Sequence, residues 1–267
     1  MHPIEHLRYV ARAQGVDAVS IVEETAYGLG SMMYDGAALV VACRRIVERH
    51  PFNGPLWWLC ANIATSSDGT DEVWELAQQI RADPTGAALG EALPDGSTVV
   101  TIGAPDLIGD GLVRRGDVRV LALDVGHTAT SFVRRLEHHD VEYDPVDAGA
   151  AGTVCAAADV ALVEALAIDS DRAIVPLGSS TIAAAASAAG TPVWVVAGVG
   201  RRLPKPMIDS MANRIESLAA ERDPWDLDVE ALSTSLFTDV VGPYGKIPMG
   251  PPAIVPECPM AYDIISR

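Results

Sequence analysis

Apolar residues recur at helical spacing through the first third of the chain. In Asp35–His50, for example, Leu39 and Ile46 share one face while charged residues occupy the other, and Pro51 follows as a stop signal. The neighbouring segments keep the same period of three to four residues. The pattern therefore predicts helices over residues 1–92.

Beyond Pro94-Asp95-Gly96 the pattern changes to short apolar runs rich in β-branched residues, which favour strands. Helical segments separate several of these runs, so the predicted sheet is parallel and covered on both faces. The predicted strands are Ser97–Ile102, Asp117–Leu123, Val141–Val146, Ala158–Glu164, Ala173–Leu177 and Val193–Ala197.

An alanine-rich helix, Ile182–Ala189, lies between two of these strands, with Gly178 before it and Gly190 just past its end. A strand–helix–strand unit needs a crossover connection, and we therefore predict that Ala173–Leu177 and Val193–Ala197 are parallel neighbours. After Asp223 the chain is proline-rich but apolar, and we predict an irregular segment that wraps the domain edge or a partner subunit.

The fold class predicted from these patterns is α/β, with an N-terminal helical region followed by a Rossmann-like parallel sheet domain. We place the helical region at 1–92 and the sheet domain, with its proline-rich C-terminal tail, at 93–267. Ligands of open α/β sheets bind at the carboxyl ends of the strands, and we expect the functional site there.

Charge narrows the possible partners. The formal net charge is −17, which disfavours nucleic acid and anionic membranes as direct partners. The cysteines form no C-x-x-C pair and have no nearby histidine at metal-ligand spacing, so we expect free thiols in a cytoplasmic protein without a metal or cofactor. They are Cys43, Cys60, Cys155 and Cys258.

Glycine and hydroxyl residues follow four of the predicted strands. Glycine lets a ligand approach the backbone, and a helix start offers free N–H groups to an anion. We therefore expect a small phosphorylated ligand, although each of these residues alone has a simpler interpretation as a helix cap or a solvated turn. The candidate binding residues are Gly103, Gly126, His127, Thr128, Thr130, Ser131, Gly178, Ser179, Ser180 and Arg201.

Catalytic candidates are few. Asp124 and His127 lie at a strand end, where a general base would sit, although His127 is equally well explained as a local hydrogen-bonding residue. Glu164 ends an apolar strand, and a buried carboxylate needs a partner or a shifted pKa. No serine-hydrolase, P-loop or zinc motif is present.

The chain resembles, over nearly its whole length, the family of the alpha, beta and delta subunits of translation initiation factor 2B. That family also contains methylthioribose-1-phosphate isomerase and ribose-1,5-bisphosphate isomerase. The resemblance implies a dimer or larger assembly. The segments that carry it are Tyr34–Ala37, Asp95–Thr101, Asp147–Ala150, Ala158–Ile168 and Pro176–Ala197.

The residues that the family's isomerases use are missing from their expected positions. Gly103 stands where those enzymes have a cysteine, and Leu166 stands at their aspartate. Asp147, in Asp147-Ala148, keeps the family pattern and is a further candidate binding residue. We therefore interpret the chain as a regulatory protein that binds a sugar phosphate or nucleotide. The alternatives are an isomerase whose acid and base have moved to Asp124, His127 or Glu164, and a structural subunit of a complex.

Overall fold

The computed structural model describes residues 18–32, 34–66, 70–124, 130–250 and 253–265. The first third of the described chain, up to the first strand, is helical. Asp35 and Asn53 cap two of these helices, accepting hydrogen bonds from the N–H groups of Ala38 and Leu56. The helices are α1 (Ala18–Gly30), α2 (Gly36–Arg49), α3 (Gly54–Thr65), α4 (Thr70–Arg81) and α5 (Thr85–Ala92).

A seven-stranded sheet follows, with strand order β10-β9-β7-β4-β1-β2-β3. All neighbours in it are parallel except β10, which runs antiparallel to β9 at one edge. The strands are β1 (Thr98–Ile102), β2 (Arg119–Asp124), β3 (Glu142–Asp147), β4 (Val160–Glu164), β7 (Val193–Val196), β9 (Asp239–Gly242) and β10 (Gly245–Pro248). The predicted fold class, α/β with a helical N-terminal region, is confirmed.

Helices cover both faces of this sheet. On one face, α8 (Ala151–Ala157) and α9 (Ser179–Ala189) pack through small and branched side chains against β1, β4 and β7. On the other face lie α5, α6 (Asp106–Arg115) and α7 (Thr130–His138). Leu162 of β4 is fully buried between these layers, as expected of a central strand.

The strand before the alanine-rich helix corrects one prediction. That strand, β6 (Arg172–Pro176), does not lie beside β7. It forms a three-stranded antiparallel sheet with β5 (Ala167–Ile168) and β8 (Val229–Ser233), while the parallel neighbour of β7 on that side is β4. The crossover rule holds for β4 and β7, which are parallel, and the prediction took the wrong pair because the antiparallel hairpin of β5 and β6 is inserted between β4 and the alanine-rich helix.

The C-terminal part is more regular than its proline content predicted. It contributes α10 (Lys205–Glu221) and then β8, β9 and β10. The following tail contacts the helical region, since Trp58 Nε1 donates to the Glu257 carbonyl at 3.0 Å and Arg44 donates to the Asp263 carbonyl. Among the described residues, no helix has the length and apolar character that crossing a lipid bilayer requires.

One apolar core joins the helical region to the small sheet. Ile174 of β6 is fully buried in it, together with side chains from α1 to α4 and α10. The approach is closest at Gly54, where an added Cβ would lie 2.3 Å from the Leu166 carbonyl oxygen. The start of α3 therefore rests directly on the backbone that follows β4, a contact that only glycine permits.

This shared core predicts that Ile174→Ala lowers the free energy of unfolding by about 2–5 kcal/mol, because it removes buried volume between two layers. Urea unfolding followed by circular dichroism measures this change. The matched control is Ile247→Ala in edge strand β10, where the side chain is 43% exposed, and its expected cost is below about 1 kcal/mol. Equal costs at the two positions would contradict the shared core.

Candidate functional site

The direction in which successive strands are added to the sheet reverses next to β1. From β1 the chain adds β2 and β3 on one side, and it then returns to add β4, β7 and β9 on the other. Open α/β sheets bind ligands at such a switch point, outside the carboxyl ends of the strands. A cavity of about 380 Å³ lies at that place, and we call it the switch-point cavity.

Residues of the helical region and of the sheet domain both line this cavity. The helical region contributes the end of α2 and the start of α3, and the sheet contributes the segments that follow β1, β4, β6 and β7. The lining residues are Ala18, His50, Pro51, Phe52, Asn53, Gly54, Pro55, Ala104, Pro105, Asp106, Glu164, Leu166, Pro176 and Arg201.

Glu164 is the best-connected polar residue of the lining. It is the last residue of β4 and is 7% exposed. Its Oε2 accepts hydrogen bonds from the N–H groups of Leu107, at 2.9 Å, and Ile108, at 3.1 Å, in the first turn of α6. Pro105, which precedes that helix, gives it no side-chain cap. The carboxylate from β4 therefore supplies the cap that the local sequence lacks.

Arg201 completes this group from the loop after β7. Its Nη1 lies 2.9 Å from Glu164 Oε1 and also donates to the Ala165 carbonyl at 2.6 Å. Arg201 is 7% exposed as well, so the two side chains form a buried ion pair. The structure thus brings together two of the residues singled out in the sequence, and each is already bonded to the other.

The donor groups at the start of α9 are also bonded to an acidic side chain of the chain itself. Gly178 has φ +90°, and the N–H and hydroxyl of Ser180 donate to the two carboxylate oxygens of Glu230 at 2.8 and 2.7 Å. The Ser179 hydroxyl donates to the Pro176 carbonyl and is fully buried. Binding of an anion by Gly178, Ser179 and Ser180 stays a prediction, because an internal carboxylate already uses the donors of Ser180.

Carboxylates also hold the loop that carries Arg201. Asp83 Oδ2 accepts from the Val199 N–H at 2.9 Å, and Glu257 accepts from the Gly200 N–H at 2.8 Å. Glu257 also pairs with Arg202, whose Nε lies 3.0 Å from Glu257 Oε1. Burial raises the pKa of the Glu257 carboxyl above its usual value, and Arg202 opposes that shift.

Gly103, Thr130, Ser131 and Asp147 lie outside the lining of the switch-point cavity. Gly103 turns the chain after β1 with φ +72°, and Thr130 and Ser131 are exposed at the start of α7. Asp147 accepts a hydrogen bond from the Gly149 N–H at 2.7 Å in an exposed turn. Asp124 ends β2, paired in register with Asp147. Gly126, His127 and Thr128 lie outside the described residues, so their roles stay predictions.

Several important residues were missed in the sequence. His50 and Asn53 bring the helical region to the cavity, and the only available signal was the Asn53-Gly54-Pro55 helix start. Glu230 accepts hydrogen bonds at the start of α9, and Glu257 accepts one in the loop after β7. No local pattern in the sequence marks either residue. The four cysteines are all in the described chain, all are buried and free, and none lines the cavity. In the described ranges, no cluster of three or more metal-ligating side chains is found.

Comparison with solved structures shows the same fold in initiation factor subunits. The translation initiation factor eIF-2B of Pyrococcus horikoshii OT3 aligns with a TM-score of 0.75 at 14% identity, covering 95% of this chain and 98% of that one. The eIF2B beta subunit of Chaetomium thermophilum aligns with a TM-score of 0.73 at 13% identity, covering 92% and 88%.

A further match is the tetrameric eIF2B-beta2-delta2 complex of C. thermophilum, with a TM-score of 0.75 at 13% identity, covering 94% of this chain and 91% of that one. No protein-family model matches the chain, and neither does any curated protein. The resemblance stated from the sequence is therefore confirmed at the level of the fold.

The buried ion pair predicts that Arg201→Met lowers the free energy of unfolding by about 3–5 kcal/mol, because it leaves Glu164 buried without a counter-charge. The comparison variant is Arg81→Met, which breaks an exposed pair with Glu23 and should cost less than about 1 kcal/mol. Denaturant unfolding of both variants checks the difference. A loss at Arg201 no larger than at Arg81 would show that the pair does not support the fold.

The raised pKa of Glu257 predicts a pH dependence. Its folded-state pKa lies above the unfolded value, so the stability it contributes is present at low pH and is lost as the pH rises through the folded pKa. Glu257→Gln resembles the protonated form at every pH. The free energy of unfolding of wild type, relative to this variant, should therefore fall as the pH rises from the ordinary carboxyl range through the raised pKa of Glu257, as urea titrations over this pH range would measure. A rise over that range would contradict the assignment.

Proposed function

We propose that this chain is a ligand-binding protein with the initiation factor 2B fold that holds a small phosphorylated ligand, a sugar phosphate or a nucleotide, without isomerising it. The single observation that carries the proposal is the switch-point cavity. It lies where ligands of open α/β sheets bind, and its volume of about 380 Å³ suits a small molecule.

The electrostatics of the cavity favour an anionic group at one wall. The amino ends of two helices, α3 at Gly54 and α6 at Asp106, both line it. Helix amino ends attract phosphate through their free N–H groups and dipole. The end of α6 already holds Glu164. At the end of α3, Asn53 accepts from the Leu56 N–H and Pro55 has no N–H, so the attraction of this end for the phosphate of a ligand rests on the helix dipole beside His50.

In the described part of the chain, the same cavity lacks the cysteine and the aspartate that the resemblance assigns to the family's isomerases. Its lining contains no cysteine, and Leu166 stands in it at the position where the resembling isomerases have their aspartate. The two oxygens of Glu164 both accept hydrogen bonds from the chain itself, Oε2 from the first turn of α6 and Oε1 from Arg201. These features support binding over isomerisation.

An assembly is part of the proposal. The eIF2B beta and delta subunits of C. thermophilum, which share the fold, form a tetramer. Large side chains stay exposed in the C-terminal part of this chain, among them Tyr244 at 93% and Trp225 at 71%. We propose a homodimer or larger assembly in which such residues are covered.

The proposal predicts that a panel of ribose 1,5-bisphosphate, methylthioribose 1-phosphate and AMP contains a ligand that raises the melting temperature. A ligand at one hundred times its Kd stabilises the folded state by about 2.7 kcal/mol. Ala104→Phe, which places a ring in the cavity lining, should abolish most of that shift. Thermal melts with and without each compound, followed by chromatography of the recovered compound, measure binding and turnover together.

The matched control is Ala220→Phe, an exposed position near the end of α10, which should keep the full shift. Stabilisation by no compound would overturn the proposal and favour the purely structural role. Conversion of a sugar phosphate into its isomer would favour the enzyme alternative, with its acid and base at Asp124 or His127.

A further inference from the structure

The donors around Glu164 form a complete anion-binding group. Two consecutive N–H groups at the start of a ten-residue helix, from Leu107 and Ile108, point at one carboxylate oxygen, and a buried guanidinium points at the other. Helix amino ends and arginine are the groups that bind phosphate and carboxylate ligands in proteins. Here the anion is part of the chain itself.

We infer that Glu164 is a specificity-determining residue of the switch-point cavity: it is an internal anion that fills this donor group and excludes the phosphate of a ligand from it. The inference deepens the proposed function and rests on it for the existence of a ligand. The phosphate of the ligand then binds at another wall of the switch-point cavity, and the hydroxyl groups of the ligand face Glu164.

Charge supports this assignment. A phosphate brought within contact of Glu164 would meet a fixed negative charge in a water-poor site, where like-charge repulsion is strong. Arg201 cannot offset both anions, because its single positive charge is already balanced by the carboxylate of Glu164 in a buried ion pair. The wall therefore rejects an anion in the wild-type protein.

Hydrogen-bond capacity indicates what the wall accepts instead. A carboxylate can accept about four hydrogen bonds, and the described residues donate three to Glu164. One acceptor position remains beside the cavity that Glu164 lines. A ligand hydroxyl can donate to that position, whereas a phosphate oxygen cannot, so the chemical class selected is a polyol carrying its phosphate at the far end.

Chemical rescue tests the inference without any sugar phosphate. Glu164→Ala removes the internal anion and leaves the two N–H groups and Arg201 unpaired around an empty volume. Acetate or inorganic phosphate, at tenfold its Kd, should raise the melting temperature of this variant by about 2–4 °C more than that of wild type. Acetamide, which has the shape of acetate without its charge, should not.

The matched control is Glu230→Ala, which also removes a carboxylate from a helix amino end but which, among the described residues, pairs with Ser180 and not with an arginine. Rescue of both variants to the same extent would overturn the inference, since the helix end alone would then explain the effect. Absence of rescue in a folded Glu164→Ala protein would overturn it too.

A variant that fails to fold remains informative through its refolding yield. Acetate present during refolding of Glu164→Ala should raise the yield of folded protein at least threefold relative to acetamide, and equal yields would overturn the inference. Glu164→Gln, which keeps the volume filled, should show no response to anions. Failure of the proposed function leaves these results unchanged, because the probes are simple anions and not the ligand.

Discussion

The carboxylate of Glu164 is the constraint on which the geometry of the cavity depends. It ties together the end of β4, the start of α6 and the loop that carries Arg201, three segments that are distant in sequence. Each segment ends in groups that cannot remain unpaired when buried, since an orphaned buried donor costs about 1–3 kcal/mol and a buried unpaired charge costs more. The wall of the cavity is therefore fixed by one residue that satisfies all three.

Internal carboxylates satisfy the other donor corners as well. Glu230 binds the first turn of α9, and Asp83 and Glu257 bind consecutive N–H groups in the loop after β7. These are the places where glycines and hydroxyls suggested a bound phosphate. Before α9 and after β7, acidic side chains of the chain accept hydrogen bonds from these donors, and binding of a phosphate there stays a prediction. In a chain with a net charge of −17, acidic side chains are abundant enough to occupy those corners themselves.

The sequence pattern predicted the elements that depend on neighbouring residues. It failed for pairings and contacts that are set by residues distant in the sequence. The helical period of α2 and the apolar runs of β1 and β4 correspond to the observed elements, because burial of one face imposes a period on each. β8 to β10 lie within the proline-rich segment that was predicted to be irregular. β8 pairs with β6, β9 with β7 and β10 with β9, and tertiary contacts set these pairings. In the site, the cavity's position follows from strand order, but the partner of Ser180 is a residue 50 positions away that no spacing rule identifies.

A fold shared at 14% identity separates what the architecture requires from what a reaction requires. The architecture needs apolar volume between layers, a glycine where α3 meets the backbone after β4, and paired donors at the switch point, and many sequences supply these. A reaction needs particular groups at particular atoms. Gly103 and Leu166 carry no ionisable group at the positions where the resemblance places the isomerases' functional residues, so the shared fold does not by itself imply the reaction.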